Sequence, residues 1–129
     1  MAIALVCSAL LGILVFGLGL AVSLARMRTQ RGAGYVSDPK DPLHKLVRAH
    51  GNTSEYAAML AVLFLLVATQ DPPPWALWSM MGATTSRYLL AFGLIVSPTL
   101  ARPHPIRFVG ALGTYVCGLA LCAALLRAL

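Results

Sequence analysis

Four polar side chains cluster along one stretch of the chain: Arg48, Asn52, Glu55 and the adjoining Tyr56. The first three are spaced i, i+4 and i+7, which on a helix sets cation, amide and carboxylate on one stripe. Tyr56 borders it. Such a stripe suits a ligand that carries both carboxylate and ammonium groups, because a guanidinium binds a carboxylate bidentately and a buried carboxylate needs a cation. Arg87 lies within another apolar segment at comparable depth, which makes Glu55 and Arg87 natural partners. Two readings stand side by side: a ligand-binding stripe, or an ion pair between Glu55 and Arg87 that locks two helices while Asn52 hydrogen-bonds across the bundle.

A second chemical position is Arg107, which follows Pro105-Ile106. Proline suits the first position of a helix, where free amides and the helix dipole already favour an anion. An arginine there is placed to hold a thiolate; the plainer reading is a charge at the headgroup level that sets topology. His50 lies about 200° from Arg48 around a helix, and His44, His50 and His104 form no ligand spacing, so no metal site is expected. Cys7, Cys117 and Cys122 sit inside apolar runs without CxxC spacing and read as small buried hydrophobes.

The elements that must carry these residues are membrane helices. The chain is 59% hydrophobic and 11% charged over 129 residues, with a mean hydropathy of +0.80. A water-soluble domain of that composition would expose a large apolar surface. The apolar runs are continuous rather than alternating, which selects helices over a barrel. At roughly 20 residues per span the chain holds one domain, an all-α bundle of four transmembrane helices over about residues 3–26, 42–70, 74–97 and 105–127. Asp41-Pro42 reads as a cap and first helical residue, closing a polar loop that contains Gly32, Gly34 and Pro39. Asp71-Pro72-Pro73-Pro74 is a turn, with Trp75 and Trp78 at the headgroup level beyond it. Gly17, Ala21 and Ala25 in the first helix, and Gly110, Thr114 and Gly118 in the fourth, have the small-xxx-small spacing of packing faces.

A net charge of +6 could suggest nucleic acid, but the basic residues interrupt spans instead of forming a separate basic face, so no nucleic-acid partner is expected. Topology explains them better. Arg26, Arg28, Arg31, Lys40, Lys45 and Arg48 flank one loop, Arg102 and Arg107 the other on the same side, and the opposite side has only Arg127. The positive-inside rule therefore places both loops in the cytoplasm and both termini outside it. Short loops, the lack of a targeting segment and an alanine- and leucine-rich chain fit a bacterial inner membrane.

The run Arg48-Ala49-His50-Gly51-Asn52-Thr53-Ser54-Glu55-Tyr56, with Arg26 ending the first helix, Arg87 within the third and Pro105-Ile106-Arg107 opening the fourth, resembles the MAPEG superfamily, membrane-associated proteins in eicosanoid and glutathione metabolism. The order of elements agrees over the whole chain, although the loop before Arg107 is somewhat longer than in better-known members, as it is in small bacterial ones. The resemblance implies a homotrimer of four-helix subunits that binds glutathione between neighbours near the cytoplasmic face. A lipophilic small-molecule electrophile would approach from the bilayer. It also implies that Arg26, Arg48, Asn52, Glu55 and Tyr56 grip the tripeptide and that Arg107 stabilises its thiolate, since a nearby cation lowers a thiol pKa. The implied reaction is conjugation or peroxide reduction.

The chain departs from better-known members at Gly51, at Phe108 and at Leu90 and Leu94, the last two standing where eukaryotic members place tyrosines or a histidine for glutathione. Those leucines favour a competing reading, a non-catalytic membrane protein that keeps the bundle and binds a lipid or another anionic ligand. A transporter is disfavoured because the chain has no inverted repeat and no helix broken at its middle by glycine and proline.

Overall fold

Three of the four helices begin at a proline that follows an extended residue, a local arrangement that fixes the helical φ and removes an amide with no partner in the first turn. A computed structural model describes residues 1–32 and 37–128. It contains α1 (Ala2–Thr29), α2 (Pro42–Ala68), α3 (Pro74–Val96) and α4 (Pro105–Arg127). Asp41 caps α2, its carboxylate accepting the His44 amide at 3.0 Å. Gly34 lies outside the described residues.

α1 runs one turn past Arg26. The Thr29 hydroxyl donates to the Ala25 carbonyl at 2.8 Å, and Gln30 takes a left-handed conformation (φ 53°) so that the Arg31 amide returns to the Arg26 carbonyl at 3.1 Å. α2 stops at Ala68, and Asp71 reverses the chain with φ 50° before the prolines.

α2 and α3 are the inner helices. Each packs against the other three, whereas α1 and α4 do not meet among the described residues. α3 buries Thr84, Ser86 and Arg87, groups that lipid would reject. α1, α2 and α4 are each long and apolar enough to cross a membrane, and α3 has the same length as α4.

Glycine sets the closeness of the α3–α4 seam. A Cβ on Gly110 would stand 2.6 Å from the Leu90 amide nitrogen, and one on Gly113 would collide with the Ser86 hydroxyl. Gly110 and Thr114, two of the small residues expected to form a packing face, are buried there. Within the subunit Gly17 of α1 is exposed with nothing within 4 Å of a Cβ, and the close approach of α1 to α2 is made by Gly19, against the His50 ring. Large apolar side chains such as Ile13, Phe16 and Leu20 of α1 and Val116 and Leu119 of α4 face outward, as a lipid solvent permits.

At one end of the bundle the two basic loops are tied together. The Leu100 amide donates to the Pro39 carbonyl at 2.9 Å, and the Lys45 ammonium donates to the Pro98 carbonyl at 3.3 Å. This brings the start of α2 and the start of α4 side by side.

Candidate anion-binding cavity

That juxtaposition creates a cavity of about 340 Å³ at the basic end. α2 contributes Arg48, Asn52 and Tyr56, successive residues at four-residue spacing whose side chains rise along one flank of the helix. α3 contributes Arg87, Leu90 and Leu94, and α4 contributes Arg107, Phe108, Ala111 and Tyr115. His104, the residue before α4, lies at the mouth with Pro103.

Arg87 sits at the inner wall with only 1% of its surface exposed. One terminal guanidinium nitrogen donates to both the backbone carbonyl and the side-chain oxygen of Asn52, each at 2.7 Å, and the guanidinium carbon lies 5.0 Å from the centre of the Tyr56 ring. Its Nε has no hydrogen-bond partner among the described residues. A buried guanidinium therefore reaches the cavity wall held by a carbonyl, an amide and a π-face, none of which carries a formal negative charge.

Arg107 is fixed from two sides. One terminal nitrogen donates to the Arg102 carbonyl at 3.1 Å and to the Leu100 carbonyl at 3.5 Å. Its stem lies against Gly93 of α3, where an added Cβ would come within 3.0 Å of the Arg107 Cγ. The absent side chain at Gly93 lets the first turn of α4 approach α3 and aims Arg107 along the wall.

The ion pair expected between Glu55 and Arg87 is not formed within the subunit. Among the described residues the only ion pair within 4.0 Å is Arg31–Asp41. The cause is angular: Glu55 lies about 60° around α2 from Asn52, enough to turn it away from α3, and it is exposed. Arg26 does not line the cavity either; its Nε is buried without a hydrogen-bond partner among the described residues.

The cavity thus gathers Arg48, Asn52, Tyr56, Arg87 and Arg107 and leaves Glu55 and Arg26 on other surfaces of the subunit. No carboxylate lines it, so three arginines give it the field of an anion site.

Tyr115 and His104 were not singled out for this site by sequence. Tyr115 stands eight residues beyond Arg107, on the same side of α4 to within about 80°, a spacing too common to be a signal. Its hydroxyl lies 3.4 Å from that of Tyr56, with the ring centres 5.9 Å apart. The two tyrosines also line the upper end of an apolar groove of about 290 Å³, which continues between α2 and α4 past Leu60, Leu63 and Leu119 to Cys122. The charged cavity and the apolar groove therefore share one tyrosine wall.

A family model described as the MAPEG family matches residues 4–127. No curated protein matches the chain.

Proposed function

The chain belongs to the MAPEG family, and on that premise we propose that it is a glutathione-dependent transferase or peroxidase of the membrane that acts on a lipophilic electrophile. The observation that carries this reading is the carboxylate-free cavity that holds Arg48, Arg87 and Arg107 and adjoins an apolar groove at Tyr56 and Tyr115. Glutathione carries two carboxylates and one ammonium, so thiol ionisation takes it from one net negative charge to two. A cationic wall favours that change.

In this reading Arg48 pairs with a carboxylate of the tripeptide, Asn52 and Tyr56 hydrogen-bond to it, and Arg107 faces the sulfur. The thiol proton leaves to solvent, and the thiolate attacks either an electrophilic carbon, forming the S–C bond as the bond to a leaving anion breaks or as an activated double bond takes up a proton, or a peroxide oxygen. In the peroxide case the O–O bond breaks, the alcohol leaves with a proton from solvent, and the sulfur is left as a sulfenic acid; a second glutathione thiol then displaces its hydroxyl as water to form the disulfide. The apolar groove supplies a route by which a bilayer-dissolved substrate reaches the sulfur.

The chain acts as one transmembrane domain in a homotrimer. The placement of Glu55 and Arg26 away from their own subunit's cavity supports that assembly, since these two residues of the glutathione set would then act on the cavity of a neighbouring copy. By the positive-inside rule the cavity mouth faces the cytoplasm and both termini the other side, in a bacterial inner membrane.

Leu90 and Leu94 in the cavity wall favour a second reading, a non-catalytic binder of a lipid or another anion. One experiment separates the two. The detergent-purified protein is titrated with glutathione by calorimetry while the ultraviolet thiolate absorbance is followed in the same sample. Binding with a thiolate signal that disappears in Arg107→Ala is the expected result. Absence of binding at millimolar glutathione would leave the second reading, and a full thiolate signal in Arg107→Ala would remove that residue from the chemistry.

A further inference from the structure

At the end of the bundle opposite the basic loops, the sequence places only two charged side chains, Asp71 and Arg127. Both line a single cavity of about 270 Å³, together with Gln70, Pro73 and Trp75. They do not pair with each other, because the only ion pair within 4.0 Å among the described residues lies at the other end. Two opposite charges that share a cavity yet stay more than 4.0 Å apart leave room for a molecule that carries the complementary pair.

We propose that this cavity binds a zwitterion composed of a primary ammonium and a phosphate, the headgroup of a phosphatidylethanolamine lipid. The Asp71 carboxylate accepts hydrogen bonds from the ammonium, and the Arg127 guanidinium donates to the phosphate, the planar fork suiting two phosphate oxygens. Asp71 is held in place by its surroundings. Its backbone adopts φ 50°, a conformation uncommon outside glycine, asparagine and aspartate, and three prolines follow it.

The depth is right for a headgroup. Trp75 and Trp78 open α3 beside the cavity, and indole rings concentrate where headgroup meets hydrocarbon. Between α2 and α4 the apolar groove lined by Leu60, Leu63, Leu119 and Cys122 offers a surface along which acyl chains can lie. A primary ammonium donates hydrogen bonds to a carboxylate, whereas the trimethylammonium of phosphatidylcholine cannot, and an anionic headgroup without an amine repels Asp71. The order of preference is therefore ethanolamine first.

The test is native mass spectrometry of the full chain in detergent, titrated with phosphatidylethanolamine, phosphatidylcholine and phosphatidylglycerol of identical acyl chains. A single saturable ethanolamine-lipid adduct, retained about fivefold or more over the choline lipid, is the expectation for one charge-assisted contact at a partly exposed site. Asp71→Asn, which tolerates the same backbone conformation, should abolish the preference, while Arg127→Gln should weaken adducts of all three lipids. Displacement of the adduct by millimolar soluble phosphoethanolamine would support the same site with headgroup chemistry dominant; persistence of the adduct would support it with the acyl chains contributing. Equal retention of ethanolamine and choline lipids by the wild-type chain, or an unchanged preference in a folded Asp71→Asn variant, would overturn the proposal. None of these readouts depends on glutathione.

Discussion

Arg87 of α3 and Asn52 of α2 are joined by two hydrogen bonds from a single guanidinium nitrogen, both at 2.7 Å, to the backbone carbonyl and the side-chain oxygen of the same residue. This cross-helix contact is the principal polar anchor of a guanidinium that has almost no access to solvent. Asn52→Ala removes one acceptor and leaves the buried charge less satisfied, which should cost about 1–3 kcal/mol. Arg87→Met in the same background removes the charge as well, and a similar-sized apolar side chain should recover much of that loss. Reversible unfolding of both single variants and the double variant in mixed micelles checks this. Additive losses would show that the two side chains do not act as a pair.

Gly110 meets the Leu90 backbone so closely that a methyl group must push α3 and α4 apart. Gly110→Ala should destabilise the bundle by about 2–3 kcal/mol. Gly12→Ala adds the same methyl inside α1 where nothing lies within 4 Å and should stabilise the helix by about 0.5–1 kcal/mol. The same unfolding measurement reads both. An equal effect of the two substitutions would mean that the seam accommodates a Cβ by sliding.

Glu55 is exposed on the subunit and makes no ion pair with Arg87, so its part in the proposed function has to be exercised on a ligand shared with another copy. Glu55→Gln should leave thermal stability unchanged and weaken glutathione binding by about tenfold, the loss of one charge-assisted contact to the ammonium. Titration calorimetry alongside a thermal melt distinguishes the roles. Unaltered binding with a lower melting temperature would return Glu55 to a role in locking helices.

Much of this arrangement was legible because helical periodicity fixes what lies one turn away. Arg48, Asn52 and Tyr56 repeat at four-residue spacing and do share a wall, and prolines 42, 74 and 105 mark the first residues of three helices. Periodicity gives no absolute direction, however. Glu55 belongs to the same stripe within about 60°, and only the position of α3 decides that Asn52 faces Arg87 while Glu55 faces out. The same limit explains Gly17 and Gly19, two residues apart on α1, of which the second meets His50. Tyr115 and His104 reach the cavity by the tertiary approach of α4 to α2, and no spacing within either segment encodes that approach.

Asp41 links the loop to α2 by accepting the His44 amide and by pairing with Arg31 at 3.0 Å. Burial pushes its carboxyl pKa up, but the His44 amide and the Arg31 guanidinium together outweigh it and hold the value below the ordinary carboxylate range. The folded pKa is thus depressed. Its contribution to stability is present above the unfolded value of about 3.9 and is lost as pH falls through the folded value. The Asp41 side-chain carboxyl carbon resonance should therefore shift with a midpoint below the ordinary carboxylate value of about 3.9. Asp41→Asn, which keeps the cap, should remove the shift. A midpoint above the ordinary carboxylate value would contradict the assigned contacts.

Tyr115 presents a hydroxyl 3.4 Å from that of Tyr56 in the cavity wall, while Leu90 and Leu94 offer none from α3. If glutathione occupies this cavity, the tyrosine pair supplies hydroxyl donors from α2 and α4 on a wall where α3 has Leu90 and Leu94 beside Arg87. Tyr115→Phe keeps the ring, its packing against Tyr56 and the apolar groove, and deletes only the hydroxyl. One neutral hydrogen bond is worth about 1 kcal/mol, so glutathione affinity should fall about fivefold with no change in fold. Tyr56→Phe should fall further, because its ring also faces the Arg87 guanidinium and its hydroxyl lies on the α2 stripe. Calorimetric titration of the two variants and their combination measures the coupling. Wild-type affinity in Tyr115→Phe, with a loss confined to Tyr56→Phe, would place the ligand along α2 alone and leave Tyr115 as a wall of the apolar groove.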